Sequence, residues 1–346
     1  MEPVPIVGAG PAGLSAAITL ARAGVPAVVF ERAKTVGSRF HGDFEAIENW
    51  TSKSDALEEL RAIGIEPDFE HAKVHEGFFF DAWGRRRRLA SRDTPFYLIR
   101  RGPEPGTLDR ALEAQALRAG VEIRYETEAP ALCGGIVAAG PKRADAIDVG
   151  YVFETRMPDG VFAVMANRIA PKGYAYLLVS RGRGTLACCL FDRFREANGY
   201  LDRTVEFFRG RAALEMLNPR RFGGLGNVHW PGASRDGEAL RVGEAAGFQD
   251  ALWGFGIRMA IVSGHLAARA LVSGRPREYD RLWRERLGGL LAASFANRKF
   301  YGRAGDLGYA LLIRRVARAD AREFLQRLYA PRWWKSLIGR LRLDGR

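Results

Sequence analysis

The sequence predicts an α/β fold: a parallel sheet carrying a nucleotide-binding turn, an inserted antiparallel sheet, and a helical C-terminal part. Three observations carry the prediction. Ile6-Val7 runs straight into Gly8-Ala9-Gly10-Pro11-Ala12-Gly13. The stretch from Tyr151 to Leu190 is strand-rich and broken by turn residues. Ala239 to Val242 then leads through a glycine-rich loop, Gly243 to Gly256, into helix-like sequence. At 346 residues the chain exceeds the size at which one core stops growing, so two closely joined domains are expected.

Taken in order, Ile6-Val7 is a short apolar strand, and Leu14 to Ala23 supplies the small and aliphatic residues of a helix packed on a sheet. Gly24 can end that helix in a left-handed conformation, and Val25 to Phe30 reads as a second buried strand, so Glu31 closes a βαβ unit. Leu108 to Ala119 has helical spacing and stops at Gly120 before the strand-like Val121 to Tyr125; Ile136 to Ala139 is another strand. Pro158-Asp159-Gly160, Pro171-Lys172-Gly173 and Arg181-Gly182-Arg183-Gly184 space the middle region as an antiparallel sheet, and Ile257 to about Leu271 is a helix. The nucleotide domain is therefore discontinuous: residues 1–70, 101–149 and 236–275. Residues 71–100 and 150–235 form the substrate domain, and residues 276–346 a basic helical region without internal repeats.

Composition narrows the class. A hydrophobic fraction of 47% with 27% charged residues is ordinary for a globular chain and excludes disordered and fibrous ones. Cys133 stands alone and Cys188-Cys189 are adjacent, which offers no disulfide framework and no CxxC knuckle. The start, MEPVPIVGAG, has no basic segment followed by a long apolar run, and no apolar stretch reaches spanning length, so a cytoplasmic protein is expected. The net charge of +13 is concentrated: from Arg275 to Arg346 there are 18 Lys/Arg against 7 Asp/Glu, a net +11. Such a field attracts phosphate-bearing partners, although 46 of the 53 basic residues are arginine, a bias that codon usage also produces. Tyr329 to Leu341 mixes aromatic, aliphatic and basic residues, which suits either an interfacial helix on an anionic membrane or a helix docked on its own domain. An anionic membrane surface is the partner expected, and nucleic acid is not.

The glycine turn carries the clearest chemistry. Gly8-x-Gly10-x-x-Gly13 lets the backbone turn tightly and approach a pyrophosphate at a helix N-terminus, and Pro11-Ala12 open the helix. Glu31, 18 residues after Gly13, can accept both hydroxyls of a ribose and disfavours a 2′-phosphate. His41, His71, His75, His229 and His265 lack convincing ligand partners, so no metal is expected; only His71 and His75 would share a face, if helical. Arg85 to Arg88 reads either as a contact for a phosphorylated headgroup or as a solvated hairpin edge.

The stretch GAGPAGLSAAITLARAGVPAVVFER resembles the ADP-binding unit of FAD-dependent oxidoreductases, in the branch that holds aromatic hydroxylases and geranylgeranyl reductases. YLIRRGPEPGTLDRALEAQALRAGVEI is similar to that branch's arginine and Leu-Asp segment, and VGEAAGFQDALWGFGIRMAIVSGHLAARAL to its second flavin motif. The resemblance implies a Rossmann-like FAD domain, with FAD held by Gly8, Gly10, Pro11, Ala12, Gly13, Glu31, Arg32, Arg39, Arg101, Glu244, Gly254, Gly256 and Ile257. In it the helix beginning near Ile257 turns its positive end to the flavin. His41 stands where geranylgeranyl reductases often carry a cysteine, in Arg39-Phe40-His41-Gly42-Asp43. It is the candidate catalytic residue, as proton donor or as a hydrogen-bonding group of the pocket, since a histidine ordinarily titrates near neutrality.

The resemblance also implies a function: reduction of carbon–carbon double bonds of an isoprenoid or other hydrophobic substrate by hydride from reduced flavin N5. The electrons would come from an external donor, NAD(P)H or a redox protein, because no second dinucleotide motif is visible. The alternatives are a flavin monooxygenase, a lycopene cyclase-type enzyme, and a membrane-associated flavin-binding module without turnover. Ala139-Gly140 stands where hydroxylases have Asp-Gly, which counts against a monooxygenase; Ala251 replaces a proline, which leaves the loop over the flavin less rigid. The Tyr-x-Trp-x-Phe-Pro substrate motif of geranylgeranyl reductases is reduced to Tyr174-Ala175-Tyr176. Tyr174, Tyr176, Phe78, Phe80 and Trp253 are expected to line the substrate site.

Overall fold

The computed structural model describes residues 2–52, 54–129, 134–142, 144–232, 235–236 and 238–340; Cys133 lies outside them. Their strands form three sheets. In the first, Ala239–Arg241, Ile136–Val137, Val4–Val7, Ala27–Phe30 and Glu122–Arg124 lie side by side and parallel, and Arg235–Asp236 joins the edge antiparallel. The chain thus crosses this sheet in the separate passes that the sequence predicts.

Helix Pro11–Arg22 follows the first strand and packs against helix Ile257–Val272. Small residues set the closeness of this contact. A Cβ on Gly13 would fall 2.0 Å from the Gly8 carbonyl oxygen, and one on Gly264 would fall 2.0 Å from that of Ala12. Ser15 Oγ donates to the Ile261 carbonyl at 2.8 Å, which locks the two helices. Nucleotide turn and C-terminal flavin motif are brought together by this pair.

The second sheet has seven strands, in the order Leu217–Gly226, Ala146–Glu154, Arg183–Leu190, Tyr174–Ser180, Gly160–Val164, Glu76–Phe80, Arg86–Ala90. It is antiparallel at every pairing except Gly160–Val164 with Glu76–Phe80, where Phe162 and Phe78 meet in a parallel ladder. One face packs on helix Ala197–Ala212 through Phe80, Leu177, Leu186 and Phe208; the other faces a cavity. Strand alternation decides which residues do which.

A third sheet has three strands. Phe96–Arg100 lies in its middle and pairs antiparallel with both Phe44–Glu48 and His71–Val74, so the strands of residues 71–100 divide between this sheet and the seven-stranded one. Likewise, strand Ala146–Glu154 begins inside the stretch assigned to the nucleotide domain. His71 is in a strand rather than a helix, so it shares no helical face with His75. Among the described residues no cluster of His, Cys, Asp and Glu could hold a metal.

The C-terminal region is helical. Gly289–Val316 consists of two helical arms meeting at Gly305, whose φ of 61° no helix contains. Ala321–Tyr329 and Trp333–Arg340 fold back on it. Lys335 is buried and donates to the carbonyls of Leu328 and Ala330, and a Cβ on Gly339 would lie 2.5 Å from the Ala292 carbonyl oxygen. The terminal helix is docked, with Trp333 81% and Leu337 66% exposed. Among the described residues no helix is long and apolar enough to cross a membrane.

Candidate functional site

A single cavity of about 1400 Å³ runs from the glycine turn to the C-terminal helices. At one end Gly8, Gly10, Pro11 and Ala12 line it. Gly10 takes φ −81°, no side chain caps the helix after it, and a Cβ there would meet nothing within 4 Å, so the groove before the helix N-terminus is open. Glu31, at the end of its strand, accepts the backbone N–H groups of Ala9 and Ala33, both at 2.9 Å. This holds the carboxylate beside the turn. An anion would find N–H donors at the turn and an acid one strand away, the donor set an adenosine diphosphate needs.

The wall continues through Arg32, Arg39, Arg101, Glu244, Gly254, Gly256 and Ile257, all of which line the cavity. Arg39 Nη2 lies 3.4 Å from Glu244 Oε2. Arg101 is buried and forms a two-pronged pair with Asp109, Nε to Oδ2 at 2.8 Å and Nη2 to Oδ1 at 2.7 Å. Its guanidinium also lies 4.0 Å over the Phe40 ring. Arg100, its neighbour, is turned to Glu70 and the Pro105 carbonyl. Of the two, Arg101 is the one that lines the cavity.

Two predicted residues are placed elsewhere. Gly13 does not reach the cavity; it is the packing glycine beneath the turn, for the steric reason given above. His41 does not line it either. Its ring lies 6.3 Å from that of Phe222, its N–H donates to Asp43 Oδ1 at 2.7 Å, and its carbonyl accepts from Arg220. Asp43, which that N–H anchors, lines the cavity in its stead.

Sequence reading singled out Asp43 but missed the two carboxylates that join it between the nucleotide groove and the sheet, Glu45 and Asp148. Asp43, Glu45 and Asp148 all line the cavity. Burial pushes Glu45 up to about 8, with the charges of Asp43 and Asp148 adding to the effect. Burial also raises Asp148 to about 6 and lifts Asp43 and Glu244, the last against the opposing charge of Arg39. The Glu45 side chain makes no hydrogen bond or ion pair among the described residues. Nothing in the linear sequence marks Glu45, because its neighbours come from a strand, Ala146–Glu154, a hundred residues away.

On the sheet side, Tyr174, Tyr176 and Leu178 face the cavity while Ala175 and Leu177 point to the helix beneath. Trp253 lines the cavity as expected, and its carbonyl accepts the Tyr174 hydroxyl. Phe78 and Phe80 do not. Phe80 is in the core under the sheet and Phe78 packs against it, so the alternating Phe79 is the residue presented. Ala139 and Gly140 also line the cavity, without a carboxylate. The loop that lacks the expected proline is tied by Asp250, which accepts from Trp253 N at 2.7 Å and from the Tyr329 hydroxyl at 2.9 Å.

The far arm of the cavity is apolar: Phe79, Leu89, Met165, Ile313, Val316 and Leu325 are among its walls. Half of these come from the C-terminal helices, which the sequence set apart as a basic region. The spacing Leu312, Ile313, Val316 and Phe324, Leu325, Leu328 is the signal that an inward face existed there.

Comparison with known proteins agrees with this geometry. Residues 1–134 match the family described as FAD binding domain. Among curated proteins none matches the chain. Among solved structures, a geranylgeranyl bacteriochlorophyll reductase-like protein from Thermoplasma acidophilum is 21% identical, with 97% of this chain and 95% of that chain covered and a TM-score of 0.73. The flavin-dependent brominase Bmp2 is 15% identical over 97% and 96% of the two chains, TM-score 0.68. The myxobacterial chondrochloren halogenase CndH is 14% identical over 98% and 95%, TM-score 0.63. At these identities the likeness is one of fold. With the domain match and the open groove, it identifies the cofactor of this site as FAD.

Proposed function

We propose that the protein is an FAD-dependent oxidoreductase that reduces a carbon–carbon double bond of an isoprenoid or other hydrophobic substrate. The observation that supports this reading is a cavity whose walls combine an apolar arm with the Glu45 carboxyl, which makes no hydrogen bond or ion pair among the described residues. Apolar walls take an apolar chain and exclude water from it. Reduced flavin, when bound, supplies hydride from N5. Glu45 holds the complementary proton: raised to about 8, it is protonated at neutral pH and can deliver that proton to the neighbouring carbon. Hydride and proton together saturate the bond, and the carboxylate regains its proton from solvent after the product leaves. Tyr174 and Tyr176, whose hydroxyls burial raises well above their usual range, stay neutral and shape the wall. Electrons reach the flavin from a visiting donor, NAD(P)H or a redox protein.

The test is anaerobic. The flavin of the purified protein is reduced, a polyprenyl alkene is added without oxygen, and the visible spectrum is followed. Reoxidation by the alkene is the expected result. A flavin that stays reduced until oxygen is admitted overturns the reading in favour of a monooxygenase or an oxidase.

A further inference from the structure

Strand Arg86–Ala90 is the edge of the seven-stranded sheet, and the end of helix Gly289–Val316 packs against it. Between them lies a second cavity of about 390 Å³ lined by Arg86, Arg87, Arg88, Arg314, Ala317 and Arg318. Strand alternation turns Arg86 and Arg88 to the opposite face from Arg87 and Leu89, so the guanidinium groups on the side the helix packs against are those of Arg87, Arg314 and Arg318. Arg88 is paired with Glu76. Arg86 lies 3.6 Å over the Phe78 ring. The side chains of Arg87, Arg314 and Arg318 make no hydrogen bond or ion pair among the described residues.

We propose that this pocket is an anion site that takes a phosphate or diphosphate group. A charged edge strand alone has an ordinary explanation, since arginines there block edge-to-edge association. That purpose needs no second set of like charges packed against the first. A helix docking on a basic strand gains by bringing acids, whereas this one brings Arg314 and Arg318 from a distant part of the chain. The repulsion is relieved by a polyanion, and guanidinium groups bind phosphate oxygens in a planar, two-pronged way that suits several converging on one group. The same strand and helix also wall the apolar arm of the main cavity through Leu89, Leu312, Ile313 and Val316, but the arginines line only the second space. The proposal is independent of the reaction read from the main cavity.

The test uses the FAD-loaded protein, so that its own pyrophosphate groove is filled. Inorganic pyrophosphate is titrated calorimetrically at low ionic strength, and sedimentation with phosphatidylglycerol vesicles is compared with phosphatidylcholine vesicles. Pyrophosphate binding, or binding to the anionic vesicles alone, weakened about tenfold or more in the Arg314→Gln/Arg318→Gln protein and separately in Arg87→Gln, is the expected outcome. Pyrophosphate binding identifies a soluble phosphate ligand, and vesicle binding without it a lipid headgroup. An unchanged flavin spectrum establishes that these exposed substitutions leave the fold intact. Failure of wild type to bind either probe, or equal binding by the variants, overturns the proposal.

Discussion

Arg39 and Glu244, 205 residues apart in the chain, meet at 3.4 Å on the wall of the flavin cavity, where Glu244 also accepts the Asn227 N–H at 3.1 Å. One carboxylate thus ties together the loop after the second strand, the end of the large sheet, and the glycine-rich loop before helix Ile257–Val272. In the Glu244→Ala protein these partners lose their acceptor, and flavin retention is expected to fall by about tenfold, the scale of a charge-assisted hydrogen bond. Flavin-to-protein absorbance after extensive dialysis reads it.

Two glycines of the same motif are expected to fail differently. Gly10→Val should yield a soluble, folded and flavin-free protein, because its Cβ meets nothing in the protein while its methyl groups occupy the groove. Gly13→Ala should instead lower stability by about 1–3 kcal/mol, the cost of overpacking, because its Cβ cannot coexist with the Gly8 carbonyl. Circular dichroism melts beside flavin content separate the two.

Glu45 gives a pH dependence with a definite sign. In the unfolded chain it ionises near 4.5, and in the folded flavin-free protein near 8, so between these values the folded state holds the extra proton. Stability is then full at the acid end of this range and falls as pH rises through it. Glu45→Gln should flatten the fall in chemical-denaturation curves. In the FAD-loaded enzyme it should slow product formation by about 100-fold or more at pH 7 while leaving flavin reduction by dithionite unchanged. Equal turnover in wild type and variant would remove Glu45 as the proton donor.

Arg258 is buried and bridges Glu48 at 3.0 Å and Glu59 at 2.6 Å, fixing the first turn of helix Ile257–Val272 against strand Phe44–Glu48. Arg258→Met strands the Glu48 carboxylate in the interior and leaves Glu59 paired with Arg286 alone. A loss of about 3–5 kcal/mol follows from the desolvation of unpaired charge. The Glu48→Gln/Arg258→Met double variant should recover part of it, measured by urea unfolding.

Substrate shape is expected to depend on strand phase. Phe79→Ala, which opens the apolar arm, should raise KM for a polyprenyl substrate. Phe80→Ala, in the core beneath, should lower stability by about 3–5 kcal/mol with little effect on KM.

The nucleotide half of the protein was legible because its determinants are local. A strand, a glycine turn and a helix within thirty residues fix where a pyrophosphate can approach, and steric limits on Gly8 to Gly13 act between neighbours in sequence. Glu31 was found by spacing, Arg101 and the Gly254 to Ile257 loop by resemblance to flavoprotein motifs, and all line one cavity. His41 misled because its motif position says nothing of the direction its side chain takes. Phe78 and Phe80 misled because alternation fixes which residues share a face but not which face meets the cavity.

The α/β class, the order of the elements and the nucleotide groove follow from periodicity and short-range backbone sterics, and the motif resemblance adds FAD. Only the packed chain shows that the C-terminal helices wall the apolar arm, that Glu45 stands among Asp43 and Asp148, and that Arg314 and Arg318 come to the side of the edge strand that carries Arg87. The reason is physical: burial and charge proximity are properties of the space between elements. That space exists only after distant segments have packed.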